Sequence, residues 1–204
     1  QGQICSAPSR VIVHNELKTK FIDYLKLESI KYVPNDPLDI NSEVGCVVSK
    51  EQKDKIEKYI KQGIQSGATL ITPIPNKWFS AKKRTAVLPS IFTDVDLKSS
   101  IVLEEIFGPV LIVIGFDTIN EAIDIANDSK YGLAASIWTS DLNEAYHVSR
   151  ELQAGIVHVN GYGNDDNTAP FGGIKESGIG KDKSIFAFDE YSYLKTTWIN
   201  FNNI

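Results

Sequence analysis

From residue 111 onward the chain reads LIVIGF, DTINEAIDIANDS, AASIWT, DLNEAYHVSREL and GIVHVN, which alternate strand, helix, strand, helix, strand. The strand segments are apolar at successive positions rather than at every second one. A strand of that kind is covered on both faces, which is how parallel sheets are built. Helices placed between the strands supply the cover. The expected fold is α/β: one mainly parallel, twisted sheet flanked by helices. Asp117 is the expected cap of the helix that follows LIVIGF.

The first half carries the same elements more sparsely. RVIVH reads as a strand, and Glu16 to Glu28 as a helix with Phe21, Tyr24 and Leu25 on one stripe. After the polar connector PNDPLDINSE, Ile56, Ile60 and Ile64 recur every four residues in EQKDKIEKYIKQGIQSG, where Gly67 marks a stop. The last stretch, YSYLKTTWINF, alternates aromatic and β-branched residues with polar ones and reads as a strand. Nothing obvious is left in the chain to pair with it, so it is expected to pair across a subunit boundary.

Composition excludes several classes. With 204 residues the chain has room for one core, and 42% hydrophobic with 23% charged residues is an ordinary globular balance. A net charge of −5 offers no basic footprint for nucleic acid or for an anionic membrane surface. No apolar run approaches the roughly 20 residues that a membrane span needs, and the polar start does not read as a signal peptide. Cys5 and Cys46 stand apart without metal-ligand spacing, so no structural metal or disulfide is expected, and a reducing cytoplasm fits. The absence of methionine suggests a fragment or a processed product.

Three stretches carry chemistry. In GQICSAPSR, Cys5 is followed by small residues that allow close approach, and Arg10 brings a positive charge into the same stretch. A thiol attacks as thiolate, which nearby positive charge favours. Cys46, flanked by valines in VGCVVS, is the contrast and is expected in the core. In LEEIFGPV two adjacent carboxylates precede a rigid turn into a buried strand, a place where acids can grip ribose hydroxyls; a solvated acidic turn is the plainer reading. VNGYGNDDNTAPFGGIKESGIGKD has too many glycines for a regular element and reads as a long shaped loop, of the sort that carries function.

Together, GQxCxAxxR, EEIFGPV and PFGGIKESGIGKD resemble, in order and approximate spacing, the aldehyde dehydrogenase superfamily, over essentially the whole chain. The carboxyl-terminal part is most similar to γ-glutamyl-γ-aminobutyraldehyde dehydrogenases, with betaine and aminoaldehyde members also similar around the cysteine. The resemblance implies that Cys5 attacks the aldehyde carbon to give a thiohemiacetal. Oxidation by NAD or NADP then leaves a thioester that water hydrolyses to the acid. It implies that Glu105 holds the nicotinamide ribose, that Phe107 packs beside that ring, and that Gln52 and Lys55 approach the cofactor. Phe171 is similar to an aromatic wall of the substrate tunnel, and Tyr162, Asp165 and Asp166 to its mouth. Two carboxylates beside a tyrosine there suit a cationic substrate, an aminoaldehyde or a betaine-aldehyde-like one; solvated turn formation is the plainer role for both. Lys175 and Gly178 are similar to positions that hold a monovalent cation between subunits.

The same resemblance implies a division of labour. Residues 1–190 correspond to the catalytic, nucleophile-bearing domain and 191–204 to an oligomerisation strand and tail of a homodimer or homotetramer. The dinucleotide-binding domain, the general-base glutamate and the second oxyanion donor precede the cysteine in the family and are not in this sequence. The chain is therefore expected to be inactive alone and to need its own cofactor domain as partner. Asp182, where some relatives carry glutamate, is not expected to replace the base. Two other readings stay open: a non-enzymatic structural relative, and a coenzyme A-acylating semialdehyde dehydrogenase.

Overall fold

The computed structural model describes residues 1–73, 85–163 and 166–201, and the chain divides into two compact units, 1–129 and 130–204. The first unit is built on a four-stranded sheet. Strand β1 (Arg10–His14) leads directly into helix α1 (Asn15–Ser29), and α2 (Lys50–Gln65) is followed by the short strand β2 (Thr69–Leu70). Then come β3 (Ser90–Thr93), the single turn α3 (Ser100–Leu103), β4 (Val110–Phe116) and α4 (Ile119–Asn127). Strand order is β1-β4-β3-β2. β1 and β3 run parallel to β4, with Arg10 opposite Ile112 and Ser90 opposite Val110, and only edge strand β2 is antiparallel.

The apolar runs explain the placement. Val110, Ile112, Val113 and Ile114 of β4 are all buried, as a central strand requires, and β3 is buried at all four positions. Phe92 of β3 and Ile56 of α2 have no exposed surface and anchor a core that also takes in Val47, Ile101, Val102 and Ile106. The four-residue isoleucine repeat of α2 does not hold one face throughout. Each four-residue step overshoots a full turn by about 40°. Ile56 is buried, Ile60 half-buried and Ile64 exposed. Gly63 takes the buried place instead, where a Cβ would stand 2.9 Å from Ile101 and 3.2 Å from Phe92. Gly67, at φ +91°, ends the helix as expected.

Two local expectations are corrected. The cap of α4 is Thr118 rather than Asp117: the Thr118 hydroxyl accepts from the Glu121 amide, while Glu121 accepts from the Asp117 amide. The two side chains thus satisfy the Glu121 amide and the amide just before the cap, a variant of the capping box. Cys46 is half-buried, and it is its neighbour Val47 that enters the core.

In the second unit β6 (Ala134–Ile137) and β7 (Ile156–Val159) pair in parallel, connected through α5 (Leu142–Glu151), whose cap is Asp141. The pair β5 (Tyr131–Gly132) and β8 (Ile174–Lys175) is antiparallel, and α6 (Ala187–Glu190) is a single turn. The one sheet expected from the alternation is thus divided into a four-stranded sheet and two separate pairs. Among the described residues, 192–201 form no ladder, and Tyr193, Leu194, Trp198 and Ile199 lie open to solvent. The alternating pattern of a strand is present there without a strand beside it among the described residues.

The core's dependence on one side chain is testable. Phe92→Ala should lower unfolding stability by ~3–5 kcal/mol, the cost of deleting a buried aromatic side chain, measured by urea denaturation of the folded chain.

Candidate active site

The nucleophile stretch and the acidic loop meet. Gly2 holds φ +67°, and a Cβ on it would stand 2.5 Å from the carbonyl oxygen of Gly108 and 3.3 Å from the nitrogen of Pro109. Only glycine can bring its backbone that close. The Gln3 side-chain oxygen accepts from the Val48 amide at 3.0 Å, tying the same stretch to the segment that leads into α2. Cys5 follows in a turn closed by the Ala7 amide donating to the Ile4 carbonyl at 3.0 Å, with its side chain exposed.

Helix α2 holds the loop on which Glu105 and Phe107 stand. The Gln52 amide nitrogen donates to the carbonyls of Ile106 at 3.0 Å and Phe107 at 2.8 Å, and the Lys55 ammonium donates to the Glu105 carbonyl at 3.1 Å. One turn of helix separates the two side chains, so both reach the same loop. Phe107 is half-buried with φ +57°, a left-handed backbone uncommon for a bulky residue. The Glu105 side chain is exposed. Gln52 and Lys55 therefore stand beside the expected cofactor residues, with side-chain nitrogens that bond to loop backbone.

Arg10 does not serve the cysteine. Its guanidinium donates to the carbonyls of Ile125 at 3.1 Å and Ala126 at 3.0 Å, at the carboxyl end of α4. Burial holds its pKa below the usual arginine value, against the opposing pull of Asp128. The positive charge is spent on a helix terminus.

In the second unit, the loop from Tyr162 onward is held by its own contacts. Phe171 and Asp182 exchange backbone hydrogen bonds at 2.7 Å each, the Lys181 ammonium donates to the Gly173 carbonyl at 2.7 Å, and the Ser184 amide donates to the Asn167 carbonyl at 2.8 Å. Lys175, Lys183 and Ser184 all take positive φ near 60°, and Gly178 takes +121°. The Tyr162 ring lies 5.4 Å from that of His158 on β7, tilted by 42°. The Lys183 ammonium sits 5.3 Å from the centre of the Phe171 ring. Asp166 accepts from the Thr168 amide and hydroxyl, both at 2.7 Å, and these bonds, with a smaller pull from Lys183, hold its carboxyl below the usual range. The turn's contribution to stability is thus present above about pH 4 and is lost as pH falls through that lowered value. Asp165 lies outside the described residues. Among the described residues no cluster of histidine, cysteine or acidic side chains is shaped for a metal ion, and no helix is long and apolar enough to cross a membrane.

The model of the aldehyde dehydrogenase family matches residues 1–197. The chain belongs to the aldehyde dehydrogenase family. It is 40% identical to the NADP/NAD-dependent aldehyde dehydrogenase PuuC of Escherichia coli, over 98% of this chain and 39% of that protein. It is 38% identical to a betaine aldehyde dehydrogenase of Sinorhizobium fredii, over 100% of this chain and 42% of that one. Among solved structures, the P. syringae indole-3-acetaldehyde dehydrogenase AldA, a cysteine-to-alanine variant in complex with NAD+ and IAA, superposes with a TM-score of 0.88 at 44% identity. That match covers 98% of this chain and 40% of the other. Staphylococcus aureus betaine aldehyde dehydrogenase in complex with NAD+ gives 0.88 at 38% identity, covering 93% and 38%. The chain therefore spans about two fifths of the length of these relatives.

For an aldehyde dehydrogenase chain, three participants escaped the reading of the sequence. Gln3 holds the cysteine stretch, His158 stands beside Tyr162, and Lys183 covers Phe171. Gln3 lies within a quoted motif, two before the cysteine, and Lys183 directly follows the one that ends at Asp182; a polar residue and a lysine at those places were the available signals.

The brace from α2 yields a prediction. Gln52→Ala should strip the Ile106 and Phe107 carbonyls of their donor and lower stability by ~1–3 kcal/mol. Amide hydrogen exchange should rise at residues 106–108 more than elsewhere in the first unit; uniform change across that unit would place the effect in the helix instead.

Proposed function

We propose that residues 1–190 are the catalytic part of an NAD(P)-dependent enzyme that oxidises an aldehyde to a carboxylic acid through Cys5. The observation that carries this reading is the seat of Gly2 on Gly108 and Pro109, which brings the cysteine stretch to the loop of Glu105 and Phe107. The Cys5 thiolate attacks the aldehyde carbon, forming a carbon–sulfur bond and placing negative charge on the former carbonyl oxygen. The Cys5 backbone amide is one donor to that oxygen. The dinucleotide, when bound, would accept the hydride that leaves the former aldehyde carbon, and as that carbon–hydrogen bond breaks the oxygen re-forms its double bond and the Cys5 adduct becomes a thioester. Water then attacks the Cys5 thioester, the carbon–sulfur bond breaks, and the acid leaves with the thiol restored.

The residues on the acidic loop fit such a group. An exposed carboxylate on a backbone pinned at three successive carbonyls suits a pair of ribose hydroxyls, and the half-buried Phe107 ring offers a flat apolar wall. Gln52 and Lys55 act as positioning residues through that loop. Turnover belongs to the whole enzyme, and these 204 residues alone are proposed to be inactive. The exposed apolar side chains along 191–201 are the surface we assign to a second copy of the chain.

For the substrate we propose an aldehyde whose far end carries a positive charge. The support is the acidic, aromatic loop of Tyr162, Asp165, Asp166 and Phe171, together with the similarity to betaine aldehyde dehydrogenases.

Three measurements test these assignments. Iodoacetamide should alkylate the exposed Cys5 ahead of Cys46, and in the full-length enzyme activity should fall in step with Cys5 modification. Cys5→Ala should abolish turnover and Cys46→Ala preserve it; retained activity in the first variant ends the assignment. Asp166→Asn keeps an oxygen for Thr168 but removes the charge. It should lower kcat/KM for betaine aldehyde about two- to fivefold, the scale of an exposed charge pair, and leave propanal unchanged.

A further inference from the structure

The aromatic and acidic surface of the second unit's loop already has a cation on it. The Lys183 ammonium stands 5.3 Å from the centre of the Phe171 ring, inside the distance at which an ammonium is attracted to an aromatic face. The backbone delivers it there. Phe171 and Asp182 are locked by two 2.7 Å hydrogen bonds, so the residue after Asp182 emerges beside the ring. The Lys183 amide donates to the Asp182 carboxylate at 2.8 Å, and the Ser184 amide to the Asn167 carbonyl at 2.8 Å. Lys183 and Ser184 both adopt left-handed backbone, φ 60° and 56°, a conformation that costs L-residues energy and persists where the surroundings impose it. The Lys181 ammonium is instead bonded to the Gly173 carbonyl, and the Asp166 carboxyl, held low chiefly by its hydrogen bonds from Thr168, also feels the charge of Lys183.

We propose that Lys183 is a specificity-determining residue, a tethered ammonium that competes with the positively charged end of a substrate for the face of Phe171. This rests on the proposed role of the loop in substrate recognition and deepens it. A tethered competitor is always present at high effective concentration. A quaternary or primary ammonium must displace it, whereas an uncharged alkyl aldehyde meets no such competition. The lysine thus sets how strongly the loop prefers cations, and a substrate bearing a carboxylate gains from the same ammonium.

The test is a kinetic comparison in the full-length enzyme. Lys183→Gln should raise kcat/KM for betaine aldehyde about two- to fivefold, the range of an exposed cation–π contact, and leave propanal unchanged. Lys183→Arg, which keeps both charge and stacking, should behave as the parent. In a Phe171→Leu background the glutamine substitution should lose its effect; an undiminished gain there shows a long-range field rather than competition for the ring, and overturns the proposal. If Asp166→Asn lowers activity on betaine aldehyde while Lys183→Gln changes nothing, the loop reads charge but Lys183 does not compete. If neither substitution discriminates between the aldehydes, the loop reading itself fails. A direct measurement needs no variant: tetramethylammonium at millimolar concentration should shift the Lys183 side-chain and Phe171 ring resonances together, and unmoved resonances overturn the proposal even if the variant does not fold.

Discussion

Helix α2 presses Ile56, which has no exposed surface, into the space left at position 108 by a residue without a side chain. A Cβ there would stand 2.5 and 2.6 Å from two of the isoleucine's carbons. From that contact follows the position of everything else in the first unit's site. With α2 seated, Gln52 and Lys55 fall one helical turn apart over the loop and reach three carbonyls in a row. With Gly108 at the bottom of the contact, its own carbonyl faces Gly2, and only a second glycine can approach it. Two absent side chains, far apart in sequence, therefore set where the cysteine stretch lies against the acidic loop. Replacing either would push on buried isoleucine or on backbone, neither of which can give way cheaply.

The loop itself is under strain that its neighbours offset. A phenylalanine at φ +57° costs on the order of 1–2 kcal/mol relative to ordinary backbone. Two hydrogen bonds from Gln52 contribute about 1 kcal/mol each, enough to hold it. The outcome is a ring whose direction is set by backbone rather than by rotamer choice alone. Strained backbone gathers where geometry matters to function, and here it lies beside the residue proposed to meet the cofactor.

Much of this was legible in the residues, for reasons that can be stated one by one. RVIVH and the run ending in IGF were long, continuously apolar stretches, and both are strands with the expected parallel pairing. The α2 repeat gave the helix and its glycine stop, but period four is not 3.6, so it misplaced Ile64. Strand β3 was not foreseen: SIFT is four residues long, buried throughout, and shows no alternation to read. The cap of α4 was one residue off although T-x-x-E was in plain view, because an aspartate preceded it. Arg10 could be seen to neighbour Cys5 in sequence but not to extend toward α4, since a strand sends its side chains to alternate faces and sequence proximity says nothing of which. The division into three sets of paired strands depends on bends and pairings that no local pattern encodes.

The two loops reach order by opposite routes, and that difference bears on what each can do. Residues 104–109 are held from outside, by a helix whose side chains reach in, so the loop's conformation is as stable as the packing of α2. Residues 166–184 are held from within, by the Phe171–Asp182 exchange, the Lys181 tether and the Asp166 turn. A loop that satisfies its own backbone leaves its surface chemistry to a few exposed side chains, free to vary without unseating the core. Position 183 is such a place. Its backbone is dictated by the bridge before it and the Asn167 contact after it, while its side chain faces an aromatic ring and an acid. A cation there, rather than an apolar residue, changes what that surface prefers to bind while leaving the fold that presents it intact.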